Sequence, residues 1–179
     1  MPPHPPMPLL LTRIDHIGIA CADLQAAVGL YEATFGLKVV SFEANEQQGV
    51  REAMLRIGGD GELAGKGWLL GGGPAAEPLI GGLLPGGYVQ LLEPLGPDTP
   101  VGRFLARRGE GIHHVGYGVS DIRQALAAIG ATGVRLLDER PRHGSMGASI
   151  AFLHPADLGG VLTELVQAAD QSTTPGRPE

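Results

Sequence analysis

The sequence predicts an α+β fold in which one βαβββ unit occurs twice. A first observation is a repeated strand: Ile14-Asp15-His16-Ile17-Gly18-Ile19-Ala20, followed by Asp23-Leu24, returns as Ile112-His113-His114-Val115-Gly116-Tyr117-Gly118, followed by Asp121-Ile122. The second is a constant spacing of 98 residues, which maps His16 to His114, Gly18 to Gly116, Asp23 to Asp121, Ala27 to Ala125 and Gly49 to Gly147. The third is that alternating apolar positions give way to helical spacing after Asp23, and the second half repeats that order.

In the first half, residues 13–20 alternate as a strand does, with Ile17 and Ile19 on one face and His16, Gly18 and Ala20 on the other. Asp23 is a helix cap, Leu24, Ala27, Val28, Tyr31 and Phe35 follow at helical spacing, and Gly36 ends the helix. Strands are expected at Leu37–Phe42, Gly49–Ile57 and Tyr88–Leu92, with a polar loop at Glu43–Gln48. Thr99 and Pro100 open a linking helix that Gly109 closes. The second half reads as a strand at Ile112–Val119, a helix capped by Ser120 or Asp121 and running to Ile129, and strands at Val134–Leu137, Ala148–Leu153 and Gly160–Val166, with a loop at 139–147. The chain thus divides into a proline-rich disordered tail (1–12), one domain (13–168) made of modules 13–97 and 110–168, and a second disordered tail (169–179).

Between 58 and 87, twelve of thirty residues are glycine, which predicts a long excursion in the first module. The repeat locates the same feature independently. Gln90 aligns with Glu164 at an offset of 74 rather than 98, so the first module carries 24 extra residues between Glu52 and Gln90.

Composition narrows the function. At 179 residues, 43% hydrophobic, the chain can bury a core, and its net charge of −6 argues against general nucleic-acid binding. Cys21 is the only cysteine, which excludes an intramolecular disulfide and a thiolate zinc cluster. The chain has neither an apolar run long enough to span a membrane nor a convincing signal peptide at Met1–Leu11, so a cytoplasmic protein is expected.

Each module supplies one polar residue from its first strand and one from its last: His16 with Gln90, and His114 with Glu164. Two imidazoles, an amide oxygen and a carboxylate suit a divalent ion of the cobalt, manganese, zinc, nickel or iron(II) kind, with coordination left for water or substrate. Glu52 has no carboxylate counterpart, because Ile150 stands at its equivalent position. His113 is expected on the opposite strand face in a structural role, His154 in a loop, and His143 and His4 outside the ligand pattern.

Two βαβββ modules with ligands on their first and last strands resemble the vicinal oxygen chelate superfamily. Longer runs resemble its methylmalonyl-CoA epimerase family: Ile14–Ala20, Gln48-Gly49-Val50-Arg51-Glu52, Leu91–Pro97, Gly109–Val115, Ala151-Phe152-Leu153-His154-Pro155 and Gly160–Leu165. The resemblance implies a metal-dependent enzyme that interconverts (2R)- and (2S)-methylmalonyl-CoA by removing and returning the C2 proton through a metal-stabilised enolate. It implies His16, Gln90, His114 and Glu164 as metal ligands and Glu52 and Glu164 as the acid/base pair, one for each face of the planar intermediate. It further implies cobalt(II), with manganese, zinc, nickel or magnesium as alternatives, and a homodimer with no nucleic-acid or membrane partner. A CoA thioester brings phosphates, and Arg140 and Arg142, or Arg103, Arg107 and Arg108, are the local cations for them. Ser145–Ser149 lacks a histidine and a lysine expected near there in many members. The rival readings are a glyoxalase I-like isomerase or extradiol dioxygenase of the superfamily, an epimerase of a related malonyl-CoA such as ethylmalonyl-CoA, and a non-catalytic binding module.

Overall fold

In the computed structural model the described residues are 9–58 and 87–169. Their elements are β1 (Leu11–Ala20), α1 (Leu24–Phe35), β2 (Lys38–Asn45), β3 (Val50–Arg56), β4 (Tyr88–Pro94), α2 (Pro100–Arg108), β5 (Gly111–Val119), α3 (Ile122–Gly130), β6 (Arg142–His143), β7 (Ser149–Leu153) and β8 (Thr163–Gln167). The glycine-rich excursion expected at 58–87 lies outside the described residues except at its two ends, and so do His4, most of the first tail and all of the second beyond Ala169.

The strands form one sheet in the order β2-β3-β4-β1-β5-β8-β7-β6. Read outward from the middle, each half is the same: β1, β4, β3, β2 on one side and β5, β8, β7, β6 on the other. The first strand of each half runs parallel to its last, and the two first strands meet antiparallel at the centre. An antiparallel seam between equivalent strands is how two copies of one unit are related by a pseudo-two-fold axis.

The helices form where the sequence provides caps. Asp23 accepts the Ala26 N–H, Asp121 accepts those of Arg123 and Gln124, and Thr99 accepts that of Gly102. Gly36 ends α1 in the left-handed conformation, with φ 68°. One sheet face is apolar against α1 (Leu24 and Val28 on Ala53, Leu55 and Leu91) and against α3 (Ile122, Ala125 and Leu126 on Ala151, Leu153 and Leu165). Strand alternation then turns the even-numbered residues of β1, β3 and β4 to the other face. There α2 covers one end, packing Val101, Phe104 and Leu105 on Ala20, Val50 and Leu92. The sheet curls around this face, because its two edges touch: the Met146 N–H, in the turn between β6 and β7, donates to Glu43 of β2 at 3.1 Å.

Several boundaries differ from expectation. β1 begins at Leu11, so two residues of the expected tail are its first rungs. β2 continues through Glu43–Asn45, expected as loop, because β3 pairs with it up to Asn45–Val50. Val134–Leu137 is not a strand and contributes one isolated bridge, Leu136 to Leu153. The ladder is interrupted there: the Leu137 and Asp138 N–H groups both donate to the Phe152 carbonyl, and the Asp138 carboxylate, not a backbone carbonyl, accepts the Phe152 N–H. Regular pairing resumes as β6, inside the expected 139–147 loop. β8 starts at Thr163 rather than Gly160, whose N–H turns back to Pro155. No helix among the described residues is long and apolar enough to cross a membrane.

Gly102 tests how tightly α2 is seated. A Cβ there would lie 2.3 Å from the Gly96 carbonyl oxygen and 2.7 Å from that of Pro97. Gly to Ala in a helix normally stabilises by about 1 kcal/mol. Here the backbone clash reverses the sign, and Gly102→Ala should destabilise by about 2 kcal/mol, measured by urea denaturation.

Candidate active site

The site is built by two cross-strand rows at the seam. In one, Gln90 of β4, Gly18 of β1 and His114 of β5 stand side by side; in the other, His16 of β1, Gly116 of β5 and Glu164 of β8 do. Each row places a glycine between two polar residues, and the histidine leans across it. The fit is close. A Cβ on Gly116 would fall 2.4 Å from His16 Cε1, and one on Gly18 would fall 2.2 Å from His114 Cε1. Each module therefore supplies a histidine and the gap that the other module's histidine fills.

Leaning inward brings three donor atoms together. His16 Nε2 and His114 Nε2 are 3.0 Å apart, and Glu164 Oε2 is 2.8 Å from the first and 3.3 Å from the second. These three residues are buried and alone form a potential metal cluster among the described residues. A divalent ion with bonds of about 2.1 Å needs donors roughly 3.0–3.4 Å apart; two of the three separations fall in that range and the third, 2.8 Å, is slightly shorter. Despite its short contacts, Glu164 Oε2 makes no directional hydrogen bond, and Gln90 Oε1, also buried, has no partner. Two orphaned oxygens among converging imidazoles fit a cation better than a hydrogen-bonded core, in which buried polar atoms are paired. The family-implied metal thus fits the residues present.

The electrostatics of the protein without a cation agree. Burial pushes the Glu164 carboxyl up, but the adjacent His114 and His16 rings outweigh it and hold the group down at about 2. Burial pulls His16 down, but Asp15 and Glu164 outweigh it and raise the ring to about 9. Both shifts favour a positive charge at this point.

Behind each imidazole, the residue one position earlier fixes the other ring nitrogen. Asp15 Oδ1 lies 3.1 Å from His16 Nδ1, and Arg13 holds the second Asp15 oxygen at 2.6 Å. The equivalent residue, His113, sits with its Nδ1 3.0 Å from His114 Nδ1 and its ring against Phe104. Both ligating candidates are thereby left with Nε2 facing the cluster. The backing is charged in one module and neutral in the other, since burial beside His114 pulls His113 down to about 4.

Glu52 is 1% exposed and stands next to this cluster, with both oxygens held. Oε2 accepts from Gln90 Nε2 at 2.7 Å, and Oε1 accepts from the Ser145 hydroxyl at 2.6 Å. Ser145 also accepts from Gln90 at 3.0 Å, closing a triangle. Burial raises the Glu52 pKa, aided by the charges of Glu43 and Glu164, while the hydrogen bonds from Ser145 and Gln90 oppose it. Ser145 comes from the opposite sheet edge on a turn whose next residue, Met146, has φ 52°. This is the only non-glycine with positive φ among the described residues, and its N–H is the one that anchors on Glu43.

Two clefts flank the cluster, and the repeat relates them. One, of about 250 Å³, is lined by Asp15, His16, Met54, Ser145, Met146 and Val166 among others. The other, of about 190 Å³, is lined by their equivalents His113, His114, Phe152, Gln47, Gln48 and Leu92. Gln90 and Glu164 open to the first, and the second is the more apolar.

The structure brings all five residues expected from sequence onto one face: His16, Gln90, His114, Glu164 and Glu52. His154 is a loop residue, whose Nδ1 accepts the Ala156 N–H, and His143 lies in β6 away from the cluster. Sequence reasoning missed the contact of Asp15 with His16, that of His113 with His114, and Ser145. For the first two a signal existed, because 15 and 113 are themselves repeat equivalents. For Ser145 none did, since its partners are 55 and 93 residues away.

Comparisons with known proteins give the family. Residues 13–165 match the model of the Glyoxalase/Bleomycin resistance protein/Dioxygenase superfamily. An ethylmalonyl-CoA/methylmalonyl-CoA epimerase of Cereibacter sphaeroides is 31% identical, with 88% of this chain and 99% of the relative covered. The chain belongs to this superfamily, in its methylmalonyl-CoA epimerase family. Among solved epimerases, a variant of the Streptomyces coelicolor enzyme in complex with 2-nitronate-propionyl-CoA is 48% identical, with 89% of this chain and 99% of that chain covered and a TM-score of 0.73. The Mycobacterium tuberculosis epimerase is 34% identical, with 94% and 95% covered and a TM-score of 0.75.

The crossed glycines make a specific prediction. Gly116→Ala should push His16 out of the cluster and weaken divalent-metal affinity by about 10–100-fold, the range typical of lost ligand support. Gly29→Ala, on the exposed side of α1, meets nothing within 4 Å and should leave affinity within about twofold. Calorimetric titration of chelator-treated protein with cobalt(II) checks both.

Proposed function

We propose that this protein interconverts the (2R) and (2S) forms of methylmalonyl-CoA, using a divalent cation held by His16, Gln90, His114 and Glu164 and proton transfer by Glu52 and Glu164. The observation that carries the reading is Glu52: a buried carboxylate with both oxygens held beside a donor cluster, at the one repeat position where the other module has an aliphatic side chain. The relatives' names support the same activity.

The chemistry follows from the residues. The C2 proton of the substrate lies between a thioester carbonyl and a carboxylate, so its removal places negative charge on the thioester oxygen. A bound cation supplies Lewis-acid stabilisation of that charge. Glu52, with its pKa raised by burial, is a better base than an exposed carboxylate and exists more readily in the protonated form needed to return a proton. Gln90 and Ser145 fix its orientation, so little reorganisation precedes the transfer. Glu164 acts from the other face of the planar intermediate, and the two carboxylates together invert the centre. Both are buried, which keeps bulk water from competing for the proton.

The Cereibacter relative is named for two substrates, which supports extending the class to 2-alkylmalonyl-CoA thioesters, with methyl first. By family likeness we take cobalt(II) as the resident ion, with manganese, zinc, nickel or magnesium as substitutes, a homodimer as the assembly and the cytoplasm as the location.

Proton NMR of methylmalonyl-CoA in deuterium oxide tests the reading. The metal-loaded protein should exchange the C2 proton and equilibrate the epimers, and a chelator should abolish both. Glu52→Gln should lower the rate of inversion by about a hundredfold or more while keeping stoichiometric metal. An absence of metal-dependent C2 exchange would overturn the assignment.

A further inference from the structure

Two carboxylates stand side by side at one edge of the sheet, and a single turn from the opposite edge grips both. Glu43 of β2 lies directly opposite Glu52 of β3 in the antiparallel ladder. Like charges so placed repel, and a neutral residue at position 43 would cost the fold less. The turn that carries Ser145 supplies a donor to each: the Ser145 hydroxyl donates to Glu52 at 2.6 Å, and the Met146 N–H donates to Glu43 Oε1 at 3.1 Å. The Ser41 hydroxyl donates to the same Glu43 oxygen and fixes it from within β2.

The turn needs this outside hold. Met146 has φ 52°, a conformation unfavourable for any residue with a side chain. Its side chain is 41% exposed, so packing around it does not supply the support, whereas the bond from its N–H to Glu43 does. The repeat shows that the grip is one-sided. The counterpart turn, at 46–50, bonds within its own module: the Gln48 N–H donates to Asn45 Oδ1 and the Gly49 N–H to the Asn45 carbonyl. Pro141, at the position equivalent to Glu43, has no side-chain acceptor to offer that turn. The crossing is thus made on the side that carries Glu52, and not on the side where Ile150 takes its place.

We propose that Glu43 is a positioning residue: by holding the Met146 N–H it seats the Ser145 hydroxyl on Glu52, and so orients the carboxylate that moves the C2 proton. This rests on Glu52 as the proton-transfer group of the proposed epimerase. A competing role for Glu43 is electrostatic, since its charge helps to raise the Glu52 pKa. The two roles separate by chemistry. Glu43→Gln keeps the acceptor oxygen and its reach and removes the charge, whereas Glu43→Asp keeps the charge and withdraws the oxygen by one carbon–carbon bond.

The test measures epimerisation of methylmalonyl-CoA by metal-loaded wild type, Glu43→Gln, Glu43→Asp, Ser145→Ala and the double variant Glu43→Asp/Ser145→Ala. Glu43→Asp should lower kcat about tenfold with KM within about twofold, because proton transfer is misaligned and binding is not. Glu43→Gln should recover most of that loss. In the Ser145→Ala background Glu43→Asp should cost nothing further, since the grip acts through that hydroxyl. Solvent exchange of the Met146 amide, followed by NMR, gives a readout independent of turnover. It should be about tenfold faster in Glu43→Asp than in wild type and near the wild-type rate in Glu43→Gln. An unchanged kcat in Glu43→Asp, with or without a lowered Tm, a lower kcat in Glu43→Gln than in Glu43→Asp, or additive losses in the double variant would each overturn the proposal. If wild type epimerises and the losses add, the role of Glu43 fails and the epimerase stands. If wild type exchanges no C2 proton while Glu43→Asp frees the Met146 amide, the epimerase fails and the hold of Glu43 on the turn stands.

Discussion

The site depends on one packing relation, the passage of each module's histidine over the other module's glycine at the β1–β5 seam. Side chains on one face of adjacent strands normally stand beside one another with their Cβ atoms about 5 Å apart. Removing the Cβ at positions 18 and 116 lets the imidazoles tilt across the seam until their Nε2 atoms are 3.0 Å apart. That tilt carries His16 to Glu164, which enters from the far side of Gly116. A residue with any side chain at either glycine would put heavy atoms inside the opposing ring. The glycines are thus part of the site although they bring no functional group to it.

Symmetry builds the donor set, and departures from symmetry give it direction. The repeat pairs His16 with His114, Asp15 with His113, Gln90 with Glu164 and one flanking cleft with the other. At each pair except the histidines the chemistry differs: carboxylate against imidazole behind the rings, amide against carboxylate in the last strands, and a polar cleft against an apolar one. Glu52 against Ile150 is the largest difference, and Ser145 against Gln47 follows from it, because the serine comes from the opposite sheet edge to hold the Glu52 carboxylate. Held by Glu43 through a backbone N–H, the turn that carries Ser145 also keeps the curled sheet closed. Fold closure and orientation of the proposed base are consequently one structural feature.

Much of this was legible in the chain, because a repeat turns weak local signals into paired ones. His16 alone in a strand says little, whereas His16 with His114, followed by Gln90 with Glu164, describes a site. The helix caps Asp23, Thr99 and Asp121 were readable because capping is local chemistry. Gly18 and Gly116 were visible as repeat positions, but their purpose depends on which strands pair, and the antiparallel β1–β5 seam is a tertiary fact. Ser145 was unreadable for the same reason. Val134–Leu137 has a strand's apolar pattern and still failed to form one, because the Asp138 carboxylate captured the Phe152 N–H. Side-chain competition for a ladder position is invisible to a periodicity argument.

The seam brings nitrogen and oxygen donors from both modules to one point. X-ray absorption at the cobalt edge, on protein loaded with one equivalent of cobalt(II), shows whether they bind one ion together. The expected spectrum has multiple-scattering features of two imidazoles together with oxygen donors, reduced to one imidazole in His16→Ala and likewise in His114→Ala. A first shell with no imidazole scattering, or one unchanged by both substitutions, would contradict it.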